Sequence, residues 1–138
     1  LGDVYKRQIK TELLEPIKPL LNAGMIFEAI VLMLNNITAN SVFYKKALKL
    51  EGAVTFNQIA MKCVYEMFMN IISEKSTGKK SKYRWLTPEV ISTYYAQSLC
   101  FITEGWIAQG MDDIEPKEMA EAYMYLITRS MDDILSEL

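Results

Sequence analysis

Histidine is absent from the 138 residues. That single absence excludes His-containing zinc sites, the di-iron Glu-x-x-His pattern, Ser-His-Asp and Cys-His nucleophile systems, and any imidazole pH switch. Cysteine is almost as scarce. Cys63 and Cys100 stand singly inside apolar helical patterns, which reads as buried reduced thiols and not as a disulfide framework. Neither sign of charge dominates: 15 basic against 17 acidic residues leave a net charge of -2, too little to draw in nucleic acid or an anionic membrane. The sequence has no charge-free apolar run of about 18 residues, so no membrane span is expected. Strand signals are nearly missing too, with no Asn-Gly or Asp-Gly turn between alternating segments.

What is present is a hydrophobic fraction of 51% at helical spacing almost throughout. The expectation is one all-α domain in the cytoplasm, able to bury roughly two-thirds of its unfolded surface without a metal or disulfide staple. The first residues are unusual. Asp3-Val4-Tyr5-Lys6-Arg7-Gln8 resembles the in-frame translation of a sequencing-library adapter, so residues 1–8 are set aside and 9–138 are taken as the domain. The accompanying expectation is that an upstream segment is missing.

Pro16 and Pro19 are expected to interrupt a short helix near Ile9 to Glu15, because proline lacks an amide donor and disfavours helix before it. A second helix is predicted from about Met25 to Ala39, with Ile26, Ala29, Ile30, Met33 and Ile37 on one face. Asn40 or Ser41 caps a third, Val42 to Leu50, ended by Gly52. Thr55-Phe56-Asn57-Gln58 has capping-box spacing and opens a helix reaching about Ser73. Its polar stripe, Gln58, Lys62, Glu66 and Asn70, is narrow, which predicts a central helix enclosed by others on most sides.

Glu74 to Arg84 is a polar connection with Lys75, Lys79, Lys80, Lys82 and Arg84, and no acid after Glu74. It is not a phosphate-binding P-loop. Ser or Thr would have to follow the lysine after Gly78, and glycine would have to stand at Ser73. The reading is a solvated loop. Thr87-Pro88-Glu89 then starts a helix running to about Gln109, stopped by Gly110, and Pro116 opens a last helix to about Leu135.

Both closing helices carry more apolar surface than one packing face needs. Ile91, Tyr95, Leu99, Ile102 and Trp106 form a line expected to face the core. Beside it, Val90, Tyr94, Ser98, Phe101, Gly105 and Ala108 widen the non-polar arc to about 180 degrees. The last helix repeats this, with Met119, Tyr123, Leu126, Ile127 and Ile134 on one side and Ala120, Met124, Met131, Leu135 and Leu138 on the other. Two-fold pairing of this hairpin into an intermolecular four-helix bundle would bury both outer faces. The expected interface is Tyr94, Ser98, Phe101, Gly105, Ala108, Met124, Met131 and Leu135. Asp132 and Asp133 are read as solubilising residues near a helix end, where they oppose the dipole.

The order of features resembles the C-terminal region of TetR-family transcriptional regulators, in particular the dihydroxyacetone-kinase regulator subgroup. The likeness rests on Asn40-Ser41-Val42-Phe43-Tyr44-Lys45-Lys46-Ala47, on Glu51-Gly52 and Phe56, and on Tyr94-Tyr95-Ala96. It continues through Gly105-Trp106-Ile107-Ala108-Gln109-Gly110-Met111 and Pro116-Lys117-Glu118-Met119-Ala120, covering about residues 20 to 135. The resemblance implies a helical regulatory domain that dimerises through its last two helices. It also implies a small-molecule effector in many members, and an N-terminal helix-turn-helix that binds operator DNA as a dimer. That module is not among these residues.

An apolar effector is expected to lie among flexible and aromatic side chains of the central helix and its neighbours: Met33, Phe43, Met61, Tyr65, Phe68, Tyr95 and Leu99. A stripe of this kind is more often plain core. Glu66 or Glu104 is a candidate polar contact, although Glu104 is placed on the outer arc of its helix, in solvent. No cofactor, metal or membrane partner is expected, and no enzyme, since no nucleophile and base stand at workable spacing. The competing reading is a helical protein-binding adaptor whose outer faces meet a different partner.

Overall fold

Thr55, Thr87 and Ser130 each accept a hydrogen bond at the side-chain oxygen from the backbone N–H three residues on. Each starts a helix in the computed structural model, which describes residues 2–138. The elements are α1 (Gly2–Gln8), a π-helical segment (Ile9–Leu14), α2 (Glu15–Asn22), α3 (Ile26–Ala39), α4 (Ser41–Ala47), α5 (Phe56–Lys75), α6 (Pro88–Ala108), α7 (Pro116–Thr128) and α8 (Met131–Glu137). No strand occurs among the described residues, and the fold is the all-α bundle that the periodicity predicts. At Thr55 the capping box is complete, with Gln58 Oε1 accepting from the Thr55 N–H at 2.8 Å.

The N-terminal stretch differs from the expectation. Instead of stopping at Pro16, it runs as α1, π segment and α2 from Gly2 to Asn22. Pro16 falls in the first turn of α2, where a missing donor costs little. Ahead of it the chain widens to the π register, and Glu15 donates to the Lys10 carbonyl. In an ordinary helix the carbonyl left without a donor by Pro16 is that of Glu12. Asn36 of α3 supplies the donor, its Nδ2 lying 3.0 Å from that oxygen. Residues 2–8, set aside from the sequence pattern, are helical, and the Tyr5 ring packs 5.5 Å from Phe43 and 6.3 Å from Phe56.

The core centres on α3, whose Ala29, Ile30, Met33, Leu34 and Ile37 are all buried against α2, the π segment, α4 and α7. The core is shared with α5, which buries Phe56, Ile59, Ala60, Cys63, Val64 and Met67. One flank of α5 is sealed by α6, α1 and the π segment, but Met61, Tyr65, Phe68, Met69 and Ile72 stay half-buried on the other. The inward face of α6 is also turned from the expected line. Ser92, Ala96, Leu99, Cys100, Trp106 and Ile107 are buried, while Tyr95 is exposed and Ile91 and Ile102 are half-buried. The α5–α6 pairing is the most extensive in the fold, and close approach favours small residues such as Ser92 and Ala96 in the seam.

The last helix is two helices. Arg129 and Ser130 adopt extended backbone, and Ser130 caps α8 anew. Asp132 and Asp133 accordingly sit in the first turn of α8, where the dipole favours them, the reverse of the sequence-based placement. Within α7, Ala120 is fully buried and Leu126 exposed, opposite to their expected sides, because α7 lies chiefly on α3 and only lightly on α6. The α6–α7 turn is held by Trp106, whose indole N–H donates to the Ile114 carbonyl at 2.8 Å. Both cysteines are free and buried. Among the described residues no single helix is long and apolar enough to cross a membrane.

Candidate functional site

A small interior space lies between the N-terminal helical stretch, α3, α5 and α6. This cavity measures about 40 Å³ and is bounded by Met33, Tyr44, Val64, Leu99, Thr103 and Glu104, among others. A water molecule takes about 30 Å³, so the space suits a single water and no drug-sized ligand. Thr103 and Glu104 are among the polar groups that border it. The Thr103 hydroxyl is buried with no hydrogen-bond partner, and the Glu104 carboxylate accepts from Asn57 Nδ2 at 2.6 Å. Burial pushes the Glu104 carboxyl above the usual carboxylate range, while the Asn57 donor pulls it back.

Glu104 thus lies at the interior cavity and is half-buried, not in solvent on an outer arc. A signal for it exists in the sequence: Cys100, Thr103, Glu104 and Ile107 follow the three-to-four spacing of one inward face. Glu66, the other candidate contact, forms a surface ion pair with Lys10 at 3.4 Å. Nearby, the buried Tyr44 hydroxyl donates to Glu12 Oε1 at 3.0 Å, and Gln8 donates to the other oxygen of the same carboxylate. Burial, together with that adjacent carboxylate, drives the Tyr44 phenol upward and keeps it protonated. Cys100 is pushed up to about 12, first by burial and then by Glu104, which leaves a protonated thiol and not a nucleophile.

Of the seven residues expected to surround an effector, only Met33 and Leu99 line this cavity. Phe43 sits edge-on to Tyr44 at 5.0 Å, Phe68 lies 6.2 Å from Tyr95, and Met61 and Tyr65 are half-buried on α5. The divergence has a simple origin. Methionine and aromatic content marks flexible apolar surface, but which flank of α5 and α6 is sealed depends on the seam between them, which those residues do not set. Tyr95 instead borders an open groove at the start of α6.

The expected pairing face is largely in water. Tyr94 is 66% exposed, Phe101 77%, Met131 75% and Leu135 60%. Gly105 and Ala108 continue that strip along α6, and the space above Gly105 is open. Ser98 and Met124 are half-buried. Ser98 is not a bare small residue in the strip: its hydroxyl meets the Tyr123 hydroxyl at 2.9 Å and donates to the Tyr95 carbonyl at 3.0 Å, tying α6 to α7. Among the described residues no group of three or more cysteine or carboxylate side chains is placed to hold a metal ion.

Residues 25–129 match a family model of TetR type, described as a transcriptional regulator C-terminal region. No curated protein and no solved structure matches the chain significantly.

Proposed function

Since the chain belongs to the TetR family of transcriptional regulator C-terminal regions, we propose that it is the regulatory and dimerisation domain of a cytoplasmic regulator, of the dihydroxyacetone-kinase regulator subgroup. Two copies pair through α6, α7 and α8, and operator contact belongs to a separate helix-turn-helix module outside this domain. A small effector shifts α6 relative to α3 and α5, and that shift reaches the DNA-binding module. To act in this way the effector must bind the two arrangements unequally.

One observation carries the reading. Phe101 on α6 and Met131 and Leu135 on α8, residues of the expected pairing face, are large apolar side chains left mostly in water. Exposed large apolar side chains on these helices support association as the reading. Light scattering coupled to size exclusion tests it: a dimer is expected at micromolar concentration, and Phe101→Glu should give monomers that retain their helical spectrum. A wild-type monomer at that concentration would overturn the pairing and favour the adaptor reading.

A further inference from the structure

Two clefts meet at the start of α6, and their chemistry differs. The first, of about 680 Å³, is apolar and aromatic, with Trp85, Val90, Tyr94 and Tyr95 in its walls. The second, of about 730 Å³, is walled by the α5–α6 loop and carries Lys79, Lys80 and Arg84 over an apolar floor that includes Ile72. Leu86 and Ile91 line both, so the two spaces adjoin across a shared wall. Each falls within the volume range of about 300–1,000 Å³ typical of small-molecule sites.

The loop that builds the cationic chamber has local structure. Ser76 and Ser81 hydroxyls accept from the Gly78 and Tyr83 N–H groups at 3.2 Å each, and Gly78 takes a φ of 78° that few other residues adopt. Its cations are uncompensated. The two ion pairs among the described residues are Lys10–Glu66 and Lys18–Glu74, and neither involves Lys79, Lys80 or Arg84. One acid, Glu89, lines the apolar chamber. Trp85, meanwhile, is 75% exposed, leaving a large indole in water beside the tyrosines.

We propose that this two-chambered cleft binds an amphipathic organic anion, with its carboxylate or phosphate ester held by Lys79, Lys80 and Arg84 and its hydrocarbon part covering Leu86, Ile91 and Trp85. An apolar ligand alone leaves the cations without partners, and a bare anion leaves the aromatic wall wet. A molecule with both parts satisfies both. This inference rests on the regulator reading, for which the site would hold the effector, and the cleft shares Tyr94 with the expected pairing face, so pairing is read separately in the test.

Dodecanoate, used below its micelle concentration, is the probe, with dodecanol and inorganic phosphate as matched halves of it. Calorimetry and Trp85 fluorescence read binding, and light scattering on the same samples reads pairing separately. Dodecanoate should bind with a blue shift that vanishes in Trp85→Phe. Dodecanol, which lacks the charged group, and phosphate, which lacks the hydrocarbon, should each bind at least about tenfold more weakly, a factor of about 1.4 kcal/mol. The Lys79→Gln/Lys80→Gln/Arg84→Gln variant, altered only in a surface loop, should lose that same factor for dodecanoate and none for dodecanol. Equal affinity for the acid and the alcohol, or an unchanged affinity in the triple variant, would overturn the proposal. So would phosphate binding as tightly as dodecanoate, or a response only to phosphatidylglycerol vesicles, which would mark a membrane surface instead. A dimer that binds no dodecanoate leaves the regulator reading standing and removes this one.

Discussion

Around α3, Ile17, Leu34, Ile37 and Tyr44 are each almost fully withdrawn from solvent, whereas on α6 and α8 Phe101, Met131 and Leu135 remain in water. Both regions are rich in apolar residues, so composition does not separate them. Packing partners do. The α3 helix is surrounded by α2, the π segment, α4 and α7, while α8 makes no extensive contact with the rest of the chain and α7 touches α6 only lightly. The first region is finished within one chain, and the second is left open within it. A side chain's apolar character therefore does not by itself say whether it is covered, and the helix count around it does.

Four substitutions bear on this contrast. Leu34→Ala, inside the sealed region, should cost about 2–5 kcal/mol in denaturant unfolding, since the cavity it leaves has rigid walls. A loss under about 1 kcal/mol would mean that the region around α3 relaxes and is less sealed than its burial indicates. Tyr44→Phe removes the hydroxyl that donates to Glu12 while keeping the ring, and should cost about 1–3 kcal/mol by the same measurement.

Glu104 sits between the two regions, and its effect depends on pH. Burial raises its folded-state pKa above the ordinary 4.5, so the folded chain holds the proton more tightly than the unfolded chain does. The stabilisation is complete below that ordinary value and is lost as pH rises through the folded one. Glu104→Gln should abolish this term. Plotted against pH from 4.5 upward, wild-type stability should fall relative to the variant, and parallel curves would show that the carboxylate is effectively solvated. Phe101→Ala should have the smallest effect on the fold itself. Unfolding measured at dilutions where chains are single should change by less than about 0.5 kcal/mol, even as pairing weakens.

Helix existence and most boundaries were legible from sequence because their determinants are local. The Thr55 capping box and the Thr87-Pro88 start need only neighbours three residues away, and both stand where predicted. Features that depend on distant chain were not legible. Continuity through Pro16 requires Asn36, 24 residues away, to satisfy the Glu12 carbonyl. The rotation of α6 depends on its pairing with α5, a helix distant in sequence, and the inward position of Glu104 follows from that rotation. The break at Arg129–Ser130 was readable in part, because Ser130 and Asp133 have cap spacing, but the apolar periodicity of the last residues masked it. For the site, residue types pointed to an apolar interior pocket, whereas the larger concavities open beside a loop that composition alone marks as solvated.

The Asn36 hydrogen bond to the Glu12 carbonyl has a mechanical result. It pegs α3 to the one point where the N-terminal helical stretch has changed register, like a pin through two rods. Lengthwise slippage between these helices would break the peg and strand a carbonyl, while rolling about it would not. The same α3 that carries this peg also packs on α7, so the fixed point of the N-terminal stretch and the support of α7 belong to one helix.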